Sequence, residues 1–315
     1  MAMRIATHDG VFHADEVFAC ATLLRVYPDA EIIRTRDREV YDGCDIVVDV
    51  GGIYDPEKGL FDHHQRFFEE RYDNGVILSS FGLVWRAYQG QVVGNDPDTR
   101  LGLGGTVMVE HALVMPVDAV DNGQPLYNGG EPCFKGLHGM DSVSGLSVSR
   151  IVSSFNPTWQ EPKDREHQDQ CFHSALKVAS QLLDRQIQIA SAHAEGRAEV
   201  GHAAYNARFG DHKEIICLER AGLPWQAILC QMETPTYVIF PTPDRETWMV
   251  QCVPPEVGSF EKRKPLPKAW AGLRDADLAA LTVEGAVFCH NGRFIAGAKT
   301  FDGAYKMAEM ALASE

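Results

Sequence analysis

The chain has 315 residues, long for one globular core and comfortable for two, and its 45% hydrophobic and 23% charged composition excludes a disordered chain. Its 44 acidic and 29 basic residues leave a formal charge of −15, which argues against a broad basic surface for holding a nucleic-acid duplex. No run approaches the ~20 apolar residues that span a bilayer, no signal or transit segment precedes Arg4, and the eight cysteines (20, 44, 133, 171, 217, 230, 252, 289) form no Cys-x-x-Cys pair; a reduced, cytoplasmic protein with no membrane partner is expected.

Residues 4–8 read as a short buried strand, and 15–25 as a helix with acidic residues in its first turn. Segments 31–34 and 45–50 are strand-like, the second β-branched at Ile46-Val47-Val48 and stopped by Gly51-Gly52. Residues 59–63 form another extended piece, and helices are expected at about 78–90 and 102–121. Strands alternating with helices imply a parallel sheet. Residues 124–162, rich in Gly, Ser, Pro and Asn, predict a loop. The longest helical pattern covers 164–195, with apolar Phe172, Leu176, Ala179, Leu183 and Ile187. Beyond it come strands at 214–218, 236–240, 248–253, 286–289 and 294–296, and helices at about 224–231 and 301–313. The expected class is therefore α/β. A parallel-sheet domain over 1–165 is joined by a long helix, 166–198, to a smaller mixed α/β domain over 199–315.

Four segments concentrate imidazoles and carboxylates where such a sheet gathers ligands, outside the carboxyl ends of its strands. His8 ends the first strand, and His13 and Asp15 lie in the turn after it. Asp49 ends the 45–50 strand, and Asp62, His63 and His64 follow the next extended piece. Asp118 and Asp121 stand three apart near a helix end, both able to face one side. One such residue alone is more often a cap or a satisfied polar group. Four groups at one edge point instead to metal. Imidazole with carboxylate and no thiolate suits manganese, magnesium, cobalt or iron, and the surplus of donors suggests two ions bridged by Asp49. Asp9 and Glu16 read as second-sphere or helix-start charges, and Asp45 as a cap.

In the second half, His290-Asn291-Gly292-Arg293 predicts a hairpin turn. Arg293, Gly297 and Lys299 flank the start of the last helix, an arrangement suited to phosphate. The basic run 261–268 suits either a track for a nucleic-acid backbone or a solvated loop.

The stretches around 7–16, 46–56, 61–66, 117–123, 258–267 and 294–300 resemble the Myg family (melanocyte proliferating gene protein family), a branch of the DHH phosphoesterase superfamily. The resemblance implies a DHH-type catalytic domain, a second domain, and an active site in the cleft between them. It implies a manganese-dependent phosphoesterase of the 3′–5′ exonuclease or oligonucleotide phosphodiesterase kind, with short single-stranded RNA or DNA as the phosphate-containing substrate. Carried over by motif, His8, His13 and Asp15 form the first ligand group, Asp49 the bridge, His63 the third group and Asp118 the fourth, with Asp121 its rival. His64 faces the substrate phosphate, and Asp62 and Asp121 complete the catalytic candidates. Arg293, Gly297 and Lys299 bind substrate. The superfamily's His-x3-Asp-x-Asp reads His8-x4-His13-x-Asp15 here, and its Phe-Ile-Gly-Gly reads Phe294-Ile295-Ala296-Gly297. Two other readings stay open: a small phosphoanhydride or phosphomonoester hydrolase, suggested by the acidic charge, and a non-catalytic phosphate-binding protein, suggested by the altered first motif. A homo-oligomer also stays open.

Overall fold

The computed structural model describes residues 2–94, 103–125 and 147–314. It divides into two units, Met1–Ser191 and Ala192–Glu315. The first unit carries β1 (Arg4–Thr7), β2 (Glu31–Arg34), β3 (Ile46–Val48), β4 (Tyr54–Asp55) and β5 (Leu60–Phe61), in the order β2-β1-β3-β5-β4. β1 pairs parallel with β2 and β3, and β3 pairs parallel with β5. β4 alone is antiparallel. All three residues of β3 are buried, as a strand covered on both faces requires.

The helices of this unit are α1 (Ala14–Val26), α2 (Arg38–Tyr41), α3 (Ser80–Gly94), α4 (Leu103–Val109), α5 (Met115–Asp121), α6 (Val148–Ser153) and α7 (Arg165–Ala207). The Glu16 carboxylate reaches back to the His13 amide at 2.9 Å and fixes where α1 begins. Ala14 to Leu23 are buried throughout, so α1 is covered on all sides. Phe18 on α1 stacks on Phe81 of α3 with centroids 5.2 Å apart. Where a single helix was expected over 102–121, a π-helical turn at Glu110–Val114 separates α4 from α5.

Most of the loop expected at 124–162 lies outside the described residues, as does Cys133. Its end is not all loop: α6 is capped by the Ser147 hydroxyl, and the Asn156 side chain bonds both the amide (3.0 Å) and the carbonyl (2.8 Å) of Phe12. The other seven cysteines are free. No helix among the described residues is long and apolar enough to cross a membrane.

Helix α7 spans 43 residues, against the 33 expected. Its Phe172, Leu176, Leu183 and Ile187 belong to the first unit's core, while Val200 and Ala204 join a cluster in the second. The connector is thus part of both cores, and the unit boundary falls within it rather than at its ends. The second unit has β6 (Ile215–Cys217), β7 (Tyr237–Pro241), β8 (Trp248–Cys252), β9 (Ala286–Cys289) and β10 (Ile295–Ala298), in the order β6-β7-β8-β10-β9, with α8 (Gln226–Leu229), α9 (Asp275–Ala279) and α10 (Phe301–Ala313). Only β6–β7 is parallel, so the sheet is mixed.

Candidate metal centre and active site

The carboxyl ends of β1, β3 and β5 lie side by side because those strands are paired, and each is followed by a loop carrying His or Asp. Asp49 stands at the centre. Its φ of 55° is left-handed, a conformation Asp tolerates better than most residues, and Gly51 (99°) and Gly52 (68°) continue the sharp turn. The Ser80 hydroxyl donates to Asp49 Oδ1 at 2.9 Å. Three imidazoles converge on the same carboxylate: His8 Nε2 at 3.3 Å from Oδ2, and His63 Nε2 at 3.5 Å and His64 Nδ1 at 3.2 Å from Oδ1. Burial opposes ionisation of Asp49, but the three imidazoles outweigh it and hold its carboxyl well below the usual range.

Asp15, in the first turn of α1, is fully buried, and neither of its oxygens has a hydrogen-bond partner among the described residues. Burial first, then the charges of Asp49, Glu16 and Asp121, push its pKa well up. His63 Nε2 lies 3.3 Å from Asp121 and 3.9 Å from Asp15, again with no aligned hydrogen bond. Donor atoms of His13, Asp15 and Asp121 come within 4.8 Å of one another, as do those of Asp49, His63 and His64, and those of Asp15, Glu16 and Asp49. A buried carboxylate such as Asp15, with no donor of its own among the described residues and other carboxylates facing it, is costly unless a cation lies among them. This donor set fits a divalent ion of the oxygen- and imidazole-binding kind.

His8 also meets Glu16 Oε1 at 3.0 Å, and its Nδ1 faces the Asp9 carbonyl at 3.0 Å. Burial disfavours its charge, yet Asp49 and Glu16 raise its pKa to about 10. Glu16, read from sequence as a helix-start charge, is that and also a buried neighbour of the cluster. Asp62 sits outside the cluster. Its oxygens accept from the amides of Gly52 (2.6 Å) and His64 (2.9 Å) and contact the His64 ring at 3.0 Å. Hydrogen bonds to Asp49, then to Asp62, raise the His64 pKa to about 10, and this ring is 63% exposed.

Asp118 and Asp121 part ways. Asp118, expected in the fourth ligand group, turns its carboxylate away from the cluster to the hydroxyls of Ser79 (2.6 Å) and Tyr72 (2.8 Å) and the amide of Gly82 (3.0 Å). Its oxygens are already taken, and Asp121 stands beside His63 instead. Sequence reading also missed Ser80, Tyr72 and Ser79. Serines at a helix start signal only a cap.

Arg293, Gly297 and Lys299 lie in the second unit. The Arg293 guanidinium donates to the Leu266 carbonyl at 3.3 Å, and Gly297 is tightly packed, a Cβ there meeting Phe288 and Thr247 at 3.0 Å. Lys299 is exposed beside Thr300, whose hydroxyl already accepts one amide of α10, from Gly303. The hairpin at 290–293 forms, with Arg293 at a φ of 57°. Two cations of the basic run point inward: Arg263 bonds the carbonyls of Pro235 and Cys230, and Lys264 those of Leu312 and Ser314. Neither is available as a backbone track.

A mixed α/β chain whose mostly parallel sheet gathers buried His and Asp at one edge is what the molecule presents. The family model MYG1_exonuc, described as an uncharacterised protein family (UPF0160), matches residues 4–312, and the chain belongs to this family. It is similar to the MYG1 exonuclease of Bos taurus (38% identity over 98% of this chain and 84% of the relative) and to that of Homo sapiens (37%, 98% and 86%). It is also similar to a MYG1 protein of Saccharomyces cerevisiae (31%, 99% and 96%).

Proposed function

We propose that the chain is a metal-dependent nuclease that hydrolyses phosphodiester bonds of short single-stranded RNA or DNA, with two divalent cations held by His8, His13, Asp15, Asp49, His63 and Asp121. The observation that carries this reading is Asp15: a buried carboxylate without a hydrogen-bond partner among the described residues, facing Asp49, Asp121 and His63. The exonuclease names of the mammalian relatives support the substrate class.

Bound there, divalent cations supply Lewis acidity toward water and toward a phosphoryl oxygen. The chain's own residues do the rest. Asp49 ties the edges of β1, β3 and β5 together through His8, His63 and His64. His64 presents an exposed ring at the rim of the cluster, placed to offset growing charge on a phosphoryl oxygen. Asp62 holds that ring in place through two backbone amides and its own contact to it.

Metal analysis of the purified protein, with hydrolysis of short RNA, short DNA and pyrophosphate with and without manganese, tests the proposal. Manganese is expected to stimulate oligonucleotide cleavage, and Asp49→Ala to lower it about a thousand-fold or more with the circular dichroism unchanged. No cleavage by metal-loaded protein sinks the reading. Faster turnover of pyrophosphate than of oligonucleotide replaces it with a small-phosphoanhydride activity.

A further inference from the structure

We propose that Phe67, backed by the Arg66 guanidinium, is a stacking platform for an unpaired nucleobase beside the His–Asp cluster. This rests on the nucleic-acid reading above and adds what the protein grips besides phosphate.

Phe67 is anomalous in two ways. Its φ of 65° is left-handed, a conformation that bulky side chains avoid, and the residue is 81% exposed. Both cost stability. The next residue does the opposite: the Phe68 ring lies 6.2 Å from that of His63 and 6.4 Å from that of Tyr54. The left-handed step therefore sends one phenyl ring inward against a cluster histidine and holds its neighbour out in solvent. The Arg66 guanidinium carbon sits 4.9 Å from the Phe67 ring centroid. A flat ring paired with a flat cation is a surface on which any base can stack, and the cation suits a polyanionic strand.

The other two loops of the site repeat the pattern. Val11, between His8 and His13, is 66% exposed, and Ile53, between Asp49 and Asp62, is 49% exposed, its carbonyl accepting the Asp62 amide at 3.1 Å. Each loop that supplies the charged cluster thus also exposes one large apolar side chain. Pyrophosphate has no apolar surface to meet them, whereas a base has one on each face. The base must be unpaired to offer that face, which selects single strands. Stacking needs no basic track, in keeping with a chain of charge −15.

A single-stranded hexamer with 2-aminopurine at one end or the other, and a matching hexamer with abasic ends, provide the test. Fluorescence is read with the full-length protein, in chelator and in manganese. Wild-type protein is expected to quench 2-aminopurine, and Phe67→Ala to weaken binding of the base-bearing hexamer about ten-fold or more, with a much smaller change for the abasic one. Phe67→Trp is expected to restore both signals. Phe67→Gly is expected to lose quenching while its melting temperature holds or rises, because glycine accepts the left-handed backbone; a purely structural ring predicts the reverse. Equal binding by wild type and Phe67→Ala, or equal losses for the base-bearing and abasic hexamers, overturns the proposal. Quenching without cleavage by manganese-loaded protein removes the hydrolytic reading and keeps the platform. Cleavage without quenching removes the platform alone.

Discussion

Asp15 and Asp118 are both fully buried, but only Asp118 finds donors inside the protein. Burial pushes the Asp118 pKa up to about 7 against the pull of Ser79, Tyr72 and Gly82. A carboxyl raised in the folded state binds its proton where the unfolded chain has released it, so its contribution to stability is fullest below about pH 4 and falls as pH climbs toward 7. At about 1.4 kcal/mol per pH unit the window is worth up to ~4 kcal/mol. Urea denaturation from pH 4 to 7.5 is therefore expected to show a downward slope in the wild type that Asp118→Asn flattens by about one proton; parallel curves contradict it. Asp15→Asn is expected to stabilise the metal-free protein, because it removes the burial cost of the carboxylate and then its repulsion with Asp49, Glu16 and Asp121. It is also expected to abolish the rise in melting temperature on adding manganese. A variant that keeps that rise shows the cation does not need this carboxylate. The sequence favours Asp118 over Asp121 only by motif, because both can face one side of a helix; the positions of Tyr72, Ser79 and Gly82 separate them. His8, Asp49 and His63 were legible because strand ends of a parallel sheet have a known address.

Elements show the same division between local and non-local information. The β1, β3 and β5 strands and α1 follow from β-branched runs, acidic first turns and apolar spacing within a few residues. β4, two residues long and antiparallel, has too little pattern to be read, and the π-helical turn of Glu110–Val114 leaves no mark in residue type. The contact between α3 and α5 depends on one glycine: a Cβ at Gly82 would collide with the Asp118 carboxylate. Gly82→Ala is expected to cost about 1–3 kcal/mol by urea denaturation and to weaken manganese binding through Asp121. In an Asp118→Ala background most of that cost is expected to vanish, a coupling of roughly 1 kcal/mol or more. Additive effects of the two changes would show that helix packing is not the link.

At the scale of the molecule, the expected α/β class, with one mostly parallel sheet, one mixed sheet and a long helix between them, matches what is observed; both sheets have five strands, and the helix, at 43 residues, runs past its expected ends. The net charge of −15 and the inward use of Arg263 and Lys264 argue against a basic track for phosphates. The affinity for a short single strand, measured by fluorescence polarisation, is thus expected to fall less than about ten-fold between 50 and 200 mM salt, where ~6–10 phosphate contacts would bring losses of roughly 10³–10⁵. A loss of that size would reveal a basic track. The placing of α7 has a consequence for biosynthesis. Every donor of the cluster lies between residues 8 and 121, yet the core behind the sheet includes Phe172, Leu176, Leu183 and Ile187. The ribosome therefore releases the full complement of imidazoles and carboxylates well before the hydrophobic wall that holds them in register. A premature stop between 122 and 171 would leave a polypeptide with all of these ligands but without the part of the core that α7 supplies behind them.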